Sequence, residues 1–88
     1  MGGTVPDQAV SAWSDVEALR RLSDREREVL GLVSEGLSNT AIAARLSVME
    51  RTVESHIARI FAKLDLPAGP GENRRVLSVL IYLRGVAA

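Results

Sequence analysis

Between residues 39 and 66 the apolar side chains fall at helical spacing, interrupted by one three-residue break at 47–49. The first run, which would line a short helix, comprises Ile42, Ala43 and Leu46. The second run, which would line a longer helix, comprises Val53, Ile57, Ile60 and Leu64. Apolar residues at positions i, i+3, i+4 and i+7 lie on one face of a helix. Two helices joined by so short a turn must cross steeply, so the segment predicts a helix-turn-helix.

Polar residues at fixed spacing mark where the neighbouring helices begin and end. Ser23 and Glu26 fit a capping box and predict a helix over about 24–35, which Gly36 would end in a left-handed conformation. Ser38 would cap a helix over about 39–46, and the next would run from about 50 to 64 or 65. After the break at 67–71, a last helix is predicted over about 72–84, before Gly85.

The chain of 88 residues is long enough for one small domain. Residues 1–21 are predicted to be a flexible tail or linker, in which Ser14 and Glu17 fit another capping box and indicate a short helix. Residues 22–84 are predicted to be the folded domain. No segment alternates apolar and polar residues as a strand would. The predicted class is therefore all-α, with four helices and an optional extra short helix at the N-terminal end.

The residue content argues against catalysis and against a metal or cofactor site. The chain has no cysteine, and its one histidine, His56, cannot form a metal site by itself. Ser55 and His56 are adjacent, and neighbours on a helix point about 100° apart, so they cannot act together as nucleophile and base. No apolar run approaches the ~20 residues that span a bilayer. We expect a cytoplasmic protein without catalytic residues, metal or cofactor, in which His56 packs beside the core and bonds to backbone.

The longer helix of the helix-turn-helix has a face without large apolar residues. Opposite its apolar stripe lie Arg51, Ser55, Ala58, Arg59 and Ala62. Small residues let a helix lie deep in the major groove of DNA, where arginines and hydroxyls contact phosphates or base edges. Any solvated helix presents a similar face, and the 11 basic residues are balanced by 11 acidic ones. Because a nucleic-acid binder is expected to be basic, DNA binding requires that the acids and the arginines occupy different faces.

Two stretches of the chain resemble the LuxR-type helix-turn-helix output domain, which is also found in response regulators. They are LSDREREVLGLVSEGLSNTAIAARLSV at 22–48 and ERTVESHIARIFAKLDL at 50–66. The resemblance covers roughly 22–83 and is specific, because REREVL, EGLSN, IAxxL and RTVxSH occur in order at the family's spacing. It implies a four-helix domain of a bacterial transcription factor. The third helix of such a domain reads the DNA major groove, and its fourth helix often pairs two copies on DNA.

The resemblance also implies which residues contact DNA. The base-reading positions would be Glu54, Ser55 and Ala58, with Arg59 alongside them. The phosphate contacts would come from Ser38, Asn39, Thr40, Arg51, Thr52 and Lys63. The start of the shorter helix would add backbone N–H groups that bind a phosphate. The family further suggests an ion pair between Glu28 and Arg51.

Three residues depart from the family's pattern. Glu54 stands where Lys or Arg is common, and a carboxylate there needs a donor such as the amino group of cytosine. Ala58 replaces a longer side chain and can offer only apolar contact, as with a thymine methyl group. Met49 replaces a common capping serine, which removes about 1 kcal/mol of cap stabilisation. These departures predict a different base preference.

The last predicted helix is apolar on both sides, and a small domain cannot bury both. Val76, Val79, Leu80 and Leu83 are predicted to face the core. Leu77, Ile81 and Tyr82 are predicted to form the interface of a two-fold homodimer. The alternative is that the N-terminal segment, with Trp13 and Leu19, covers this second face.

Two functions of different classes fit these features. The first is sequence-specific binding of double-stranded DNA by a dimeric bacterial transcriptional regulator, with the helix over about 50–64 in the major groove. The chain would be either the output domain of a longer regulator, which the linker-like start favours, or a stand-alone short regulator, and RNA polymerase is a further candidate partner. The alternative is a protein-interaction module on the same fold with little DNA affinity, which the balanced charge and Glu54 favour.

Overall fold

The computed structural model describes residues 15–67 and 69–87, and all of their regular structure is helical. The helices are α1 (described over residues 15–20), α2 (Asp24–Ser34), α3 (Asn39–Leu46), α4 (Glu50–Lys63) and α5 (Gly71–Ala87). The predicted all-α class, with a short extra helix before the four-helix domain, is confirmed. Residues 1–14 of the tail or linker predicted over 1–21 lie outside the described residues, and so do the cap predicted at Ser14 and the packing of Trp13.

The predicted caps and turns set the directions of α2, α3 and α4. Ser23 Oγ accepts a hydrogen bond from the Glu26 N–H at 3.1 Å, and Glu26 Oε1 accepts one from the Ser23 N–H at 2.9 Å, which completes the capping box. Gly36 follows α2 with φ +90°, a conformation that L side chains rarely adopt. The turn between α3 and α4 begins at Ser47, with φ 57°. Met49 makes no side-chain cap bond to α4, as its chemistry predicts.

The core lies where α2 packs against α4 and α5 and where α3 packs against α4. Its largest fully buried apolar side chains are Leu30, Ile42, Ile60, Val29 and Val53. The stripe predicted on the longer helix is confirmed, since Val53, Ile57, Ile60 and Leu64 are all buried. Fixing this stripe in the core also fixes the rotation of α4, and therefore which of its residues face outward.

The structure reverses the predicted orientation of α5. Val76, Leu80 and Leu83 were predicted to face the core but are 59%, 43% and 49% exposed. Ile81 and Tyr82, predicted to form the free face, pack against the core, while Leu77 lies at the edge and is 37% exposed. Of the residues predicted to face the core, Val79 does pack there.

The buried centre of α5 is a serine, which explains the error. Ser78 is 1% exposed, and its hydroxyl donates to the Arg75 carbonyl at 2.7 Å, so it enters the core with its hydrogen bond satisfied. The spacing of apolar residues could not identify position 78 as buried, because its residue is polar. Helix α5 also continues past Gly85 instead of ending before it, because there the helix lies against α1. A Cβ at Gly85 would be 2.3 Å from Leu19 Cδ1.

Helix α1 therefore covers the C-terminal end of α5. Leu19 is buried, and Asp15 Oδ2 pairs with Arg84 Nε at 2.9 Å. Arg27 of α2 donates to the carbonyls of Leu19 and Leu22 at 3.2 and 3.1 Å, which holds the end of α1. The alternative expectation, in which Leu19 covers part of α5, agrees with this packing. Val76, Leu80 and Leu83 still remain exposed.

Candidate nucleic-acid interface

The outward face of α4 is exposed along most of the helix. Its exposed residues are Arg51, Thr52, Glu54, Ser55, Ala58, Arg59 and Ala62. All four residues predicted to read bases lie on it. The opposite face of α4 is anchored in the core by Val53, Ile57 and Ile60. The surface is therefore a rigid helical ridge with small side chains and two exposed arginines.

The start of α3 carries the predicted phosphate contacts, and each of its side chains already has a hydrogen bond inside the protein. Ser38 Oγ caps α3 by accepting from the Ala41 N–H at 3.1 Å. Asn39 Oδ1 accepts from Arg75 Nη1 at 2.9 Å, and Thr40 Oγ1 donates to Glu50 Oε1 at 3.1 Å. The backbone N–H groups of Asn39 and Thr40, which precede the first hydrogen bonds of the helix, remain suited to an anion.

Arg75 braces this region, and the sequence analysis missed it. Its Nη1 bonds to Asn39, while its Nη2 donates to the Leu37 carbonyl at 2.9 Å. One side chain of α5 therefore holds both the loop before α3 and the first residue of α3. A run of two arginines at the start of an apolar helix was the available signal, but nothing in the spacing pointed to α3.

Lys63 stands apart from the other predicted phosphate contacts. Its Nζ donates to Glu26 Oε1 at 2.8 Å, and the Glu26 side chain is only 5% exposed. Burial alone would raise the pKa of Glu26, but bonds from Lys63 and from the Ser23 N–H, together with the lysine charge, lower the pKa below its ordinary value. The predicted phosphate role of Lys63 competes with this ion pair.

The ion pair that the family suggested, between Glu28 and Arg51, does not form. Glu28 pairs instead with Arg25, at 3.3 Å and largely in solvent. The buried carboxylate of α2 is Glu26, two residues earlier, because the capping box turns it inward toward Lys63. The exposed side chain of Arg51 makes no ion pair within residues 15–67 and 69–87.

Acid is expected to destabilise the domain through Glu26. Its folded pKa lies below the ordinary value of 4.5, so its stabilisation is complete above that value and is lost as the pH falls through the folded pKa. Lys63→Ala should cost about 1 kcal/mol at neutral pH, since Lys63 is 41% exposed and solvent screens the pair. It should also weaken the acid dependence, because burial would then raise the pKa of Glu26.

Urea unfolding of both proteins from about pH 7 to about pH 3 measures this effect. Arg25→Ala is the matched control, because its partner Glu28 is exposed, and its stability should stay within about 0.5 kcal/mol of the parent. An acid dependence that Lys63→Ala leaves unchanged would contradict the assignment to Glu26.

His56 is half-buried, as expected, but the expected hydrogen bond to backbone is missing at one ring nitrogen. Its Nδ1 is buried and has no hydrogen-bond partner among the described residues. Within the same residues, no group of three His, Asp or Glu side chains lies close enough to hold a metal ion.

Charge is distributed unevenly along the chain, although Glu54 shares the outward face of α4 with Arg51 and Arg59. Residues 38–63 carry four basic side chains, Arg45, Arg51, Arg59 and Lys63, against two acidic ones, Glu50 and Glu54. Most acidic residues lie in α1 and α2 or beyond α4. The helix-turn-helix therefore has a modest positive excess although the whole chain has a formal net charge of zero.

The fold and this surface define the class of protein. It is a helix-turn-helix domain in which the second helix of the motif exposes one face and packs its other face against the remaining helices. The family model for bacterial regulatory proteins of the LuxR family matches residues 20–68. The chain belongs to that family.

Three relatives illustrate the family. The DNA-binding transcriptional activator DevR/DosR of Mycobacterium tuberculosis is 46% identical over 57% of this chain and 23% of its own length. The transcriptional regulatory protein FixJ of Rhizobium meliloti is 42% identical over 74% of this chain and 32% of its own length. The oxygen regulatory protein NreC of Staphylococcus haemolyticus is 47% identical over 56% of this chain and 23% of its own length.

The chain thus spans a third or less of each of these relatives. No solved structure gives a significant match to it. Among the described helices, none combines the length and the apolar character that crossing a bilayer requires.

Proposed function

We propose that this domain binds double-stranded DNA sequence-specifically, with α4 in the major groove, as part of a bacterial transcriptional regulator. The observation that carries the proposal is the rotation of α4. Its apolar stripe is fixed in the core, and its small and cationic residues are exposed together. A helix with such a face can approach base edges closely, because no large side chain holds it away.

Four residues of α4 are the proposed base readers. Arg59 can donate to guanine, Ser55 can donate or accept, and Glu54 can accept from the cytosine amino group. Ala58 offers contact to a thymine methyl group. Because Glu54 is repelled by phosphate and favoured only by a donor, it should contribute more to base preference than to affinity.

Phosphates are proposed to bind beside this face. Arg51 and Thr52 would contact one strand from the start of α4. The backbone N–H groups of α3 and the amide of Asn39 would contact phosphate at the start of α3, with Ser38 and Thr40 nearby. Lys63 could join them only by leaving Glu26, so we expect its contribution to be small.

The domain is proposed to pair through α5, but on a different face from the one the sequence predicted. Val76, Leu80 and Leu83 are exposed apolar residues of α5. The first two line a groove of about 260 Å³, together with Val33, Arg75 and Val79. A contiguous apolar patch on a small domain favours association. Two-fold pairing there would place two α4 helices on successive half-sites of DNA.

Control of this activity is proposed to come from other domains or partners. The relatives DevR/DosR and FixJ are named as transcriptional regulators, and each is several times longer than the part matched here. By analogy, a regulatory domain in the same protein would govern pairing. RNA polymerase remains a proposed partner at the promoter, and the cytoplasm the proposed location.

A selection of bound duplexes from a random pool tests the proposal. The parent should enrich one motif, Glu54→Ala should change the preferred base at one position, and Arg51→Ala should weaken all sequences alike. Affinity should fall steeply with salt. The second candidate function, a protein-interaction module, is favoured by Glu54 and the balanced charge, and predicts no duplex binding even at low salt.

A further inference from the structure

A groove of about 350 Å³ runs beside the outward face of α4, and its walls come from three helices. Glu54 and Ala58 of α4 line one side, and Asn39 at the start of α3 lines an end. Arg74 of α5 and the apolar residues Ile57, Phe61, Ala62 and Leu66 also line it. The groove therefore touches two proposed base readers and one proposed phosphate contact, but it also includes an arginine that no prediction assigned.

Arg74 is held in this groove with an unsatisfied donor. Its guanidinium carbon lies 5.3 Å from the centroid of the Phe61 ring, which is within the range of a cation–π contact. Its Nε is buried and has no hydrogen-bond partner among the described residues. The guanidinium also makes no ion pair within residues 15–67 and 69–87, so an anionic ligand in the groove would neutralise an unpaired cation.

We propose that this groove receives a phosphate of the DNA backbone and that Arg74 is its principal ligand; the inference rests on the proposed DNA binding. The two terminal nitrogens of an arginine form a planar pair of donors that matches two phosphate oxygens. Stacking on Phe61 fixes the plane of the guanidinium before the ligand arrives. The same strand would reach Asn39 at the start of α3, because that residue lines the same groove.

The position of Glu54 makes a phosphate ligand here dependent on Arg74. The glutamate lines the groove, and its negative charge repels an anion that enters. Arg74 supplies the opposite charge in the same groove. Glu54 can then remain directed at base edges while the neighbouring phosphate is held from α5.

The test compares Arg74→Ala with Arg20→Ala on the selected duplex and on a scrambled one. Arg20 is an exposed arginine of α1, which packs at the opposite end of α5 from Arg74, so it controls for loss of one positive charge. Arg74→Ala should weaken both duplexes by about tenfold and reduce the slope of log K against log salt by about 0.9. Arg20→Ala should leave the slope unchanged.

A second readout uses the unaltered chain and does not depend on how a variant folds. The Nε–Hε resonance of Arg74 in a ¹⁵N–¹H spectrum should shift when the duplex is titrated in. A stationary resonance, or a salt slope for Arg74→Ala equal to that of Arg20→Ala, overturns the inference. If that happens while Glu54→Ala still changes the preferred base, DNA binding stands and only the Arg74 assignment falls. If the parent binds no duplex at low salt, the proposed function itself falls.

Discussion

Leu80→Glu is expected to leave the domain folded and to prevent two copies from pairing, whereas Ile81→Glu is expected to unfold it. The two residues are neighbours on α5, but Leu80 is 43% exposed and Ile81 packs against the core. A carboxylate at position 81 would have to leave water without a partner, at a cost of about 2–4 kcal/mol. At position 80 the same carboxylate stays hydrated in the monomer and opposes only a second apolar face.

Circular dichroism and sedimentation separate these outcomes. The Leu80→Glu protein should keep its helical signal and melt close to the parent, but sediment as a monomer. On a duplex with two half-sites its affinity should fall by about a hundredfold, because the two copies no longer bind cooperatively. On a single half-site it should bind like the parent. If Ile81→Glu folds normally and blocks pairing, the sequence-based assignment of the α5 interface was right and the structural one is wrong.

The contrast between α4 and α5 explains how much the sequence could predict. Helix α4 has apolar residues on one face only, so its pattern leaves one orientation, and the structure confirms it. The boundaries of α2 and α3 were predictable because Ser23, Ser38 and Gly36 act through local backbone chemistry. Helix α5 offers apolar residues all round, so the pattern could not select the face that Ser78 occupies.

In the candidate site, too, some features were predictable from the sequence and others were not. Exposure of Glu54, Ser55, Ala58 and Arg59 followed from the helical period, because they lie opposite a core stripe. The partners of Lys63, Arg74 and Arg75 did not, because they lie on helices that are far away in sequence. Glu26 and Lys63 are 37 residues apart, and Arg75 reaches Leu37 across 38 residues. Such pairs depend on how the helices pack and are not encoded in any local spacing.

Ile60→Ala and Arg59→Ala are expected to impair the domain in entirely different ways, although the residues are adjacent on α4. Ile60 is 1% exposed at the centre of the core, so its truncation should lower the free energy of unfolding by about 2–5 kcal/mol. Arg59 is exposed, so its loss should change that free energy by less than about 0.5 kcal/mol. Its loss should nevertheless weaken binding of the selected duplex by about tenfold or more, since one bidentate contact to guanine contributes about 1–3 kcal/mol.

Urea unfolding monitored by circular dichroism gives the stability of each variant, and duplex titration at a temperature where both are folded gives its affinity. The folded fraction of Ile60→Ala should still bind the selected motif with the parent's preference, because its outward face is intact. Arg20→Ala serves as the control, since it removes one exposed arginine from α1 and alters neither the core nor the outward face of α4. If Arg59→Ala bound the duplex as tightly as the parent, the outward face of α4 would not be the surface that meets base edges. The small residues exposed there would then be only a solvated helix surface.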